Sequence, residues 1–137
     1  MIPLNPWTFF DFLDSRCERN RIRAWLDSLP PRAAAKIDAR ILHLQQIRNW
    51  PEQYVSAFQG WPKIFELRIV FGGAQYRPLF FYGPNQREVT LVHGAIEKGK
   101  ILRRTLEHTD ENRKLAEADR RRITKHVFLA GATAPQL

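Results

Sequence analysis

The sequence predicts an α+β domain in which two N-terminal helices pack on a twisted antiparallel sheet, followed by a C-terminal helix. Three observations support this prediction: apolar residues recur with helical spacing in the first third of the chain, alternate in the middle third, and give way to a helix-like composition near the end. Helices that cover one face of a sheet form the two layers of an α+β fold. We expect residues 1–128 to form a single domain and residues 129–137 a flexible tail.

The first two elements are a strand and a helix. The segment Trp7 to Leu13 reads WTFFDFL, and its aromatic residues predict an N-terminal strand. Ser15, with Glu18 three residues later, fits a capping box and predicts that a helix begins there. The apolar stripe of this helix is formed by Ile22, Trp25, Leu26 and Leu29.

Two prolines separate this helix from a second one. Pro30 and Pro31 end the first helix and favour the first turn of the next. The second apolar stripe is formed by Ala34, Ile37, Ile41 and Leu44. The segment Asn49 to Pro62 contains two prolines, a glycine and two tryptophans, and we expect a loop there.

The middle of the chain has the period of two that is typical of strands. One face of the first such strand would carry Phe65, Leu67, Ile69 and Phe71. Gly72 and Gly73 turn the chain into a second strand, Ala74 to Tyr82, and a polar turn leads to a third, Glu88 to Ile96. Together they predict a meander of three antiparallel strands. Because Pro78 has no backbone N–H, we expect a bulge or a local break in the second strand.

The last predicted element is a helix over Thr109 to Phe128. Its narrow apolar stripe would be formed by Leu115, Ala116, Ile123 and Val127. The basic run Arg120 to Arg122 would lie beside that stripe.

The composition is strongly basic. Lys and Arg number 22 against 14 Asp and Glu, which gives a net charge of +8. Such a charge favours a polyanionic partner, since binding neutralises phosphates and releases counterions. The single cysteine and four scattered histidines lack the spacing of a zinc site, and no apolar run approaches the roughly 20 residues that cross a bilayer. We therefore expect no metal, no cofactor, no membrane contact and a cytoplasmic location.

A cationic cleft is expected on the sheet face that the two helices leave partly open. If Phe65 and its alternate neighbours pack under the helices, Glu66 and Arg68 point to the opposite side. Arg77 on the next strand would reach the same side, and guanidinium groups bind phosphate through paired hydrogen bonds. Further positive charge would come from Lys63, Lys98 and Lys100.

Several short motifs occur in order along the predicted meander. FELRI spans Phe65 to Ile69, Tyr76 and Arg77 follow on the next strand, LVHG spans Leu91 to Gly94, and Lys98 and Lys100 come after it. In this order the motifs resemble the RelE/ParE toxin superfamily, and most closely its HigB-like branch, which is related to small phage proteins. Where that branch usually has phenylalanine, lysine and a Lys-Thr-Pro stretch, this chain has Ala95, Glu97 and Gly99.

The resemblance implies the toxin of a type II toxin–antitoxin system that cleaves messenger RNA in the ribosomal A site without metal. It implies attack by the ribose 2′-hydroxyl on the adjacent phosphate, with Arg68 and Arg77 stabilising charge at phosphorus and Glu66 or His93 transferring protons. RNA would also be bound by Lys63, Lys98, Lys100, Arg120 and Arg121. The implied partners are messenger RNA on the ribosome and a cognate antitoxin of the helix-turn-helix type.

Each of these assignments has an alternative. Glu66 and Arg68 can form a simple ion pair, His93 can be a structural histidine, and Arg120 to Arg122 can be a solvated helix face. At the level of function, the alternatives are a ParE-like inhibitor of DNA gyrase and a catalytically silent, phage-derived binding module of the same fold.

Overall fold

A mixed sheet separates two helices on one face from a third helix on the other. The computed structural model describes residues 6–14, 19–96 and 98–129. Within these residues the strands are β1 (Thr8–Asp14), β2 (Arg19–Asn20), β3 (Val55–Phe58), β4 (Trp61–Leu67), β5 (Ile69–Phe71), β6 (Ala74–Tyr82), β7 (Glu88–Ala95) and β8 (Ile123–Lys125). The helices are α1 (Arg21–Ser28), α2 (Pro31–Gln46) and α3 (Arg103–Ala118).

The strand order confirms the predicted meander but not a purely antiparallel sheet. The order is β2-β1-β7-β6-β4-β3, with β5 also pairing with β6 and β8 with β1. β4, β6 and β7 are antiparallel neighbours. β1, however, runs parallel to β7, with Thr8 opposite Glu88. A parallel pair requires a long crossover, which here includes α1 and α2.

The two N-terminal helices form as predicted, but the first begins later. The side chain of Asn20, the N-cap of α1, accepts a hydrogen bond from the backbone N–H of Arg23. The expected start at Ser15 is therefore wrong, and Ser15 and Glu18 themselves lie outside the described residues. α2 begins at Pro31, as the sequence predicts.

The main core lies between these helices and the sheet. The four alternating residues Phe65, Leu67, Ile69 and Phe71 all belong to it, as predicted. They pack against the apolar side of α1 and α2, which includes Ile22, Leu26, Ile37, Ile41 and Leu44. None of the helices in the described part of the chain is long and apolar enough to cross a membrane.

The expected loop before the meander contains a strand. β3 pairs antiparallel with β4, with Ser56 opposite Glu66, and β4 already starts at Trp61. The prediction of a loop over Asn49 to Pro62 is thus wrong in its second half. Proline is tolerated at the first positions of a strand and beside a bulge, and the register of β3 and β4 shifts between Ala57 and Phe58, so Pro62 does not prevent this pairing.

The C-terminal helix covers the other face of the sheet. α3 starts and ends earlier than predicted, and a 3₁₀ turn and β8 follow it. β8 pairs with β1, which places Ile123 in a cluster with Phe12 and Phe81. Under the start of α3, Leu106 packs with Ile64 and other apolar side chains. The expectation of a partly open second face is therefore wrong.

Strand pairing is interrupted beside Arg68 and Pro78. β6 pairs with β4 on one side of Pro78 and with β5 on the other. Arg68 separates β4 from β5, and its backbone N–H donates to the carbonyl oxygen of Tyr54 at 2.9 Å. On the opposite edge of β6, the register with β7 shifts between Leu79 and Phe80. The irregularity predicted at Pro78 is confirmed.

Candidate functional site

A buried ion pair joins two of the predicted site residues. Nε of Arg77 donates to Oε2 of Glu66 at 2.6 Å, and only 7% of Arg77 and 3% of Glu66 are exposed. Arg77 also donates from Nη1 to the carbonyl oxygen of Gly99 at 2.5 Å. This guanidinium therefore connects β4 and β6 with the segment that leads into α3. Neither side chain lies in the open cleft that the sequence suggested.

Arg68 approaches the same carboxylate from solvent. Its Nε lies 3.6 Å from Oε1 of Glu66, and its side chain is 43% exposed. Nη2 donates to Oγ of Ser56 on β3 at 2.8 Å. The Glu66–Arg68 ion pair considered from the sequence thus exists, but Arg77 makes the shorter contact with Glu66. The two arginines hold one carboxylate between them, one buried and one accessible.

His93 lies on the same face of the sheet as Glu66. Leu79 of β6 is paired with Glu66 on one side and with His93 on the other. Directly paired residues share a face, and Leu79 belongs to the cluster under α3. Two strand spacings place the Cα atoms of Glu66 and His93 about 10 Å apart. The side chain of His93 is half-buried.

The three candidate lysines are exposed and differ in their surroundings. Lys98 and Lys100 flank Gly99, whose carbonyl oxygen Arg77 binds, so both lie next to the buried ion pair along the chain. Lys63 is on β4, three residues before Glu66. Lys98 and Lys100 accordingly place positive charge beside the ion pair, whereas Lys63 is an odd number of residues from Glu66 along β4 and belongs to the other face of the strand.

The two remaining RNA-binding candidates lie elsewhere. Arg120 makes a bidentate pair with Glu88 at 2.6 and 2.7 Å, and Arg121 pairs with Asp119 at 3.0 Å. The hydrogen bonds from Arg120 hold the pKa of Glu88 below its usual value. Because Glu88 starts β7 and His93 lies near its other end, the structure does not bring Arg120 to the site.

Sequence reasoning missed a group of residues beside Arg68. Nη1 of Arg40, on α2, donates to the carbonyl oxygen of Arg68 at 3.2 Å. The guanidinium carbon of Arg40 lies 3.8 Å from the ring centroid of Tyr54, in a cation–π contact. The available signal was the position of Arg40 on the polar side of α2, but the contact itself depends on how α2 lies over the sheet.

The arrangement can bind an anion at Arg68, whose side chain is held in place by the buried carboxylate of Glu66. Arg68 is held near Glu66 and donates to Ser56, so the orientation of its guanidinium is partly fixed before a ligand arrives. His93 lies on the same sheet face, two strands away from Glu66. Phosphoryl chemistry needs a positive group that stabilises the negative charge developing on the phosphate and a group that exchanges protons, and this face of the sheet carries both kinds of side chain.

Comparison with known families identifies the group to which the chain belongs. A model of the Gp49-like phage-derived proteins (DUF891) matches residues 24–124, which include every described site residue. The chain is a member of the Gp49-like family. This family is related to the RelE-like toxins, so the broader resemblance seen in the sequence is confirmed. Comparisons with curated proteins and with solved structures gave no match.

Proposed function

We propose that this Gp49-like protein is the toxin of a type II toxin–antitoxin pair and cleaves messenger RNA on the ribosome. The observation that carries the proposal is the accessible guanidinium of Arg68, held 3.6 Å from the buried carboxylate of Glu66 on the sheet face that also carries His93. Membership of a family related to RelE-like toxins supports the same function. We assign the protein to the cytoplasm, where ribosomes are found.

The geometry favours different roles for the two arginines. Arg68 is accessible, so it contacts the scissile phosphate and stabilises the negative charge that develops there. Arg77 is buried and already binds Glu66 and the carbonyl oxygen of Gly99, so it positions Glu66 rather than touching RNA. Glu66 in turn orients Arg68.

Proton transfer is assigned to His93. The neutral imidazole accepts the proton of the ribose 2′-hydroxyl while the 2′-oxygen forms a bond to phosphorus. The bond between phosphorus and the 5′-oxygen then breaks, and the imidazolium returns the proton to that leaving oxygen. The products are a 2′,3′-cyclic phosphate and a 5′-hydroxyl, and the balance requires neither water nor metal.

The proposed partners follow from this activity. Messenger RNA on the ribosome is the substrate, with Lys98 and Lys100 adding positive charge at the rim of the site. An antitoxin protein of the helix-turn-helix type would keep the toxin inactive in its host.

Inducible expression of the protein in a bacterial host tests the proposal. We expect translation to stop while transcripts are cut, and the upstream fragments to end in 2′,3′-cyclic phosphate. Fragments that end in a 3′-hydroxyl would contradict the chemistry. DNA damage with intact transcripts would instead indicate a gyrase inhibitor, and normal growth without either effect would indicate a silent binding module.

A further inference from the structure

One side of α2 carries a row of positive side chains. Arg32, Lys36 and Arg40 are four residues apart, so they follow one another along the same side of the helix with a rise of about 6 Å at each step. Arg32 and Lys36 are exposed, and Arg40 is half-buried. We call these three residues the α2 stripe.

The α2 stripe is not neutralised by its own helix. Asp38 is the one acidic residue of α2, and it is fully buried on the opposite, core-facing side. Among the residues that the structure describes, Arg32 and Lys36 form no ion pair. Some exposed cations elsewhere are paired: Arg103 lies 2.9 Å from Glu107, and Arg121 lies 3.0 Å from Asp119. The stripe is therefore an unbalanced positive surface.

The stripe leads directly to the candidate site. Arg40, at its end, donates to the backbone of Arg68 and lies over the ring of Tyr54. Tyr54 in turn accepts the backbone hydrogen bond of Arg68. A strand with regularly spaced negative charges that lay along α2 would thus arrive at the backbone of Arg68. It would then pass around the sheet at this residue to reach the guanidinium, which contacts Glu66 and Ser56 on the other face.

The surface chemistry favours a nucleic-acid strand over a protein. Protein interfaces bury apolar and aromatic side chains at their centre. In the described part of the chain, the large exposed apolar side chains are found outside α2. A row of cations without an apolar centre suits regularly spaced phosphates.

We propose that the α2 stripe binds the sugar-phosphate backbone of RNA and directs the strand toward Arg68. In taking RNA as the partner, this inference rests on the proposed function. The same phosphate chemistry is offered by the messenger and by ribosomal RNA, so the test has one arm for each source.

The test is a binding measurement that does not depend on cleavage. The variant Arg32→Ala/Lys36→Ala is compared with the parent for binding to a short, labelled 2′-O-methyl RNA, which cannot be cut by 2′-hydroxyl attack, and to isolated small ribosomal subunits. Loss of two phosphate contacts should weaken binding about 10- to 30-fold near 0.1 M salt and lower the salt slope by about 1.4. Weakening on the short RNA assigns the stripe to the messenger strand. Weakening on subunits alone assigns it to ribosomal RNA and overturns its role in directing the strand toward Arg68.

A matched control removes the same charge elsewhere. Lys114 on α3 and Lys125 on β8 are exposed, and Lys114→Ala/Lys125→Ala also lowers the net charge by two. If both double variants, folded by circular dichroism, weaken RNA binding equally, the proposal is overturned. Unchanged RNA binding with lost binding to poly-glutamate would overturn it in favour of an acidic protein partner.

The outcomes separate this inference from the proposed function. If the parent protein cuts no transcript but binds RNA through the stripe, the proposed nuclease activity is contradicted and RNA binding by the stripe is supported. If the parent cuts transcripts while the stripe variant binds RNA at the parental level, the proposed nuclease activity is supported and RNA binding by the stripe is contradicted.

Discussion

Nδ1 of His126 lies 2.7 Å from Oδ1 of Asp11, although the two residues are 115 positions apart. The other ring nitrogen, Nε2, lies 2.8 Å from Oδ1 of Asp38, and all three side chains are buried. Burial lowers the pKa of the imidazole, but hydrogen bonds to both carboxylates outweigh this effect and raise the pKa to about 9. An imidazolium therefore joins β1, α2 and the segment after β8.

Because of this cluster, the free energy of unfolding should decrease as the pH becomes alkaline. The pKa of His126 is about 9 in the folded protein against an ordinary 6.5, so its contribution is fully present below pH 6.5 and is lost as the pH rises through about 9. We expect the free energy of unfolding, measured with urea, to fall by roughly 3 kcal/mol between pH 6.5 and 9.5.

Two variants isolate the contribution of this histidine. His126→Gln should be less stable than the parent at pH 6.5 and should lose the alkaline decline. Asp38→Asn removes one of the two carboxylates, so the pKa of His126, followed by NMR of its ring protons, should move down. A parent whose stability is flat from pH 6.5 to 9.5 would show that the ring is not an imidazolium.

The ion pair of Arg77 and Glu66 should be a major structural contact. Removing Arg77 leaves the buried carboxylate of Glu66 with only the longer contact to the partly exposed Arg68, so the cost should fall toward the lower end of the range of about 3–5 kcal/mol that is typical of a broken buried pair. Arg77→Ala should therefore lower the unfolding free energy by about this amount, measured with urea at neutral pH. The double variant Arg77→Met/Glu66→Leu should recover much of the loss, because neither charge is then left buried. Equal destabilisation by the single and double variants would contradict the importance of the pair.

The periodic spacing of apolar residues correctly predicted the helices and the strand whose apolar faces form the main core. The stripes of α1 and α2 and the alternation from Phe65 to Phe71 point to one core, and the structure places them in it. Elements specified by distant partners were missed. β8 has only three residues. It pairs with β1, where Ile123 lies opposite Phe12, and a contact between residues so far apart in the chain is not visible in any short window of sequence.

The burial of the candidate site could be predicted in part from the sequence. β6 and β7 contain the near-continuous apolar runs PLFF and VTLV, which are typical of strands covered on both faces. That signal argued against an open cleft at Arg77. The signal for the histidine cluster was also present, since Asp11 shares a strand face with the apolar Phe9 and Asp38 lies on the apolar side of α2. Which cation would meet these carboxylates depended on the position of β8, so His126 could not be assigned.

Gly94 should tolerate no side chain. A Cβ atom at this position would overlap the indole ring of Trp25 on α1. Such overpacking typically costs about 1–3 kcal/mol, because the ring or the helix must shift. Gly94→Ala should thus lower the melting temperature, measured by circular dichroism. In the control background Trp25→Leu, the same substitution should cost clearly less, and an equal cost in both backgrounds would exclude the indole as the cause.

Arg68 should be required for cleavage but not for folding. Its side chain is partly solvated, and Glu66 keeps its contact with Arg77 when Arg68 is removed, so no buried charge is left unpaired. Arg68→Ala should change the unfolding free energy by no more than about 0.5 kcal/mol. Loss of one group that stabilises charge at the reacting centre should lower the cleavage rate by about a hundredfold or more. Both quantities are measured on the same preparations.

Two further variants test the reason for this effect. Arg68→Lys keeps the charge but loses the planar pair of donors, so it should recover only part of the rate. Arg21 is a matched control because its side chain is 48% exposed and lies 3.1 Å from Asp14, so Arg21→Ala removes a comparable surface ion pair from α1. Arg21→Ala should cut RNA at the parental rate. If Arg68→Ala also cut at the parental rate, or lost activity only in proportion to its folded fraction, Arg68 would be a surface ion-pair partner and the phosphate would have to bind elsewhere.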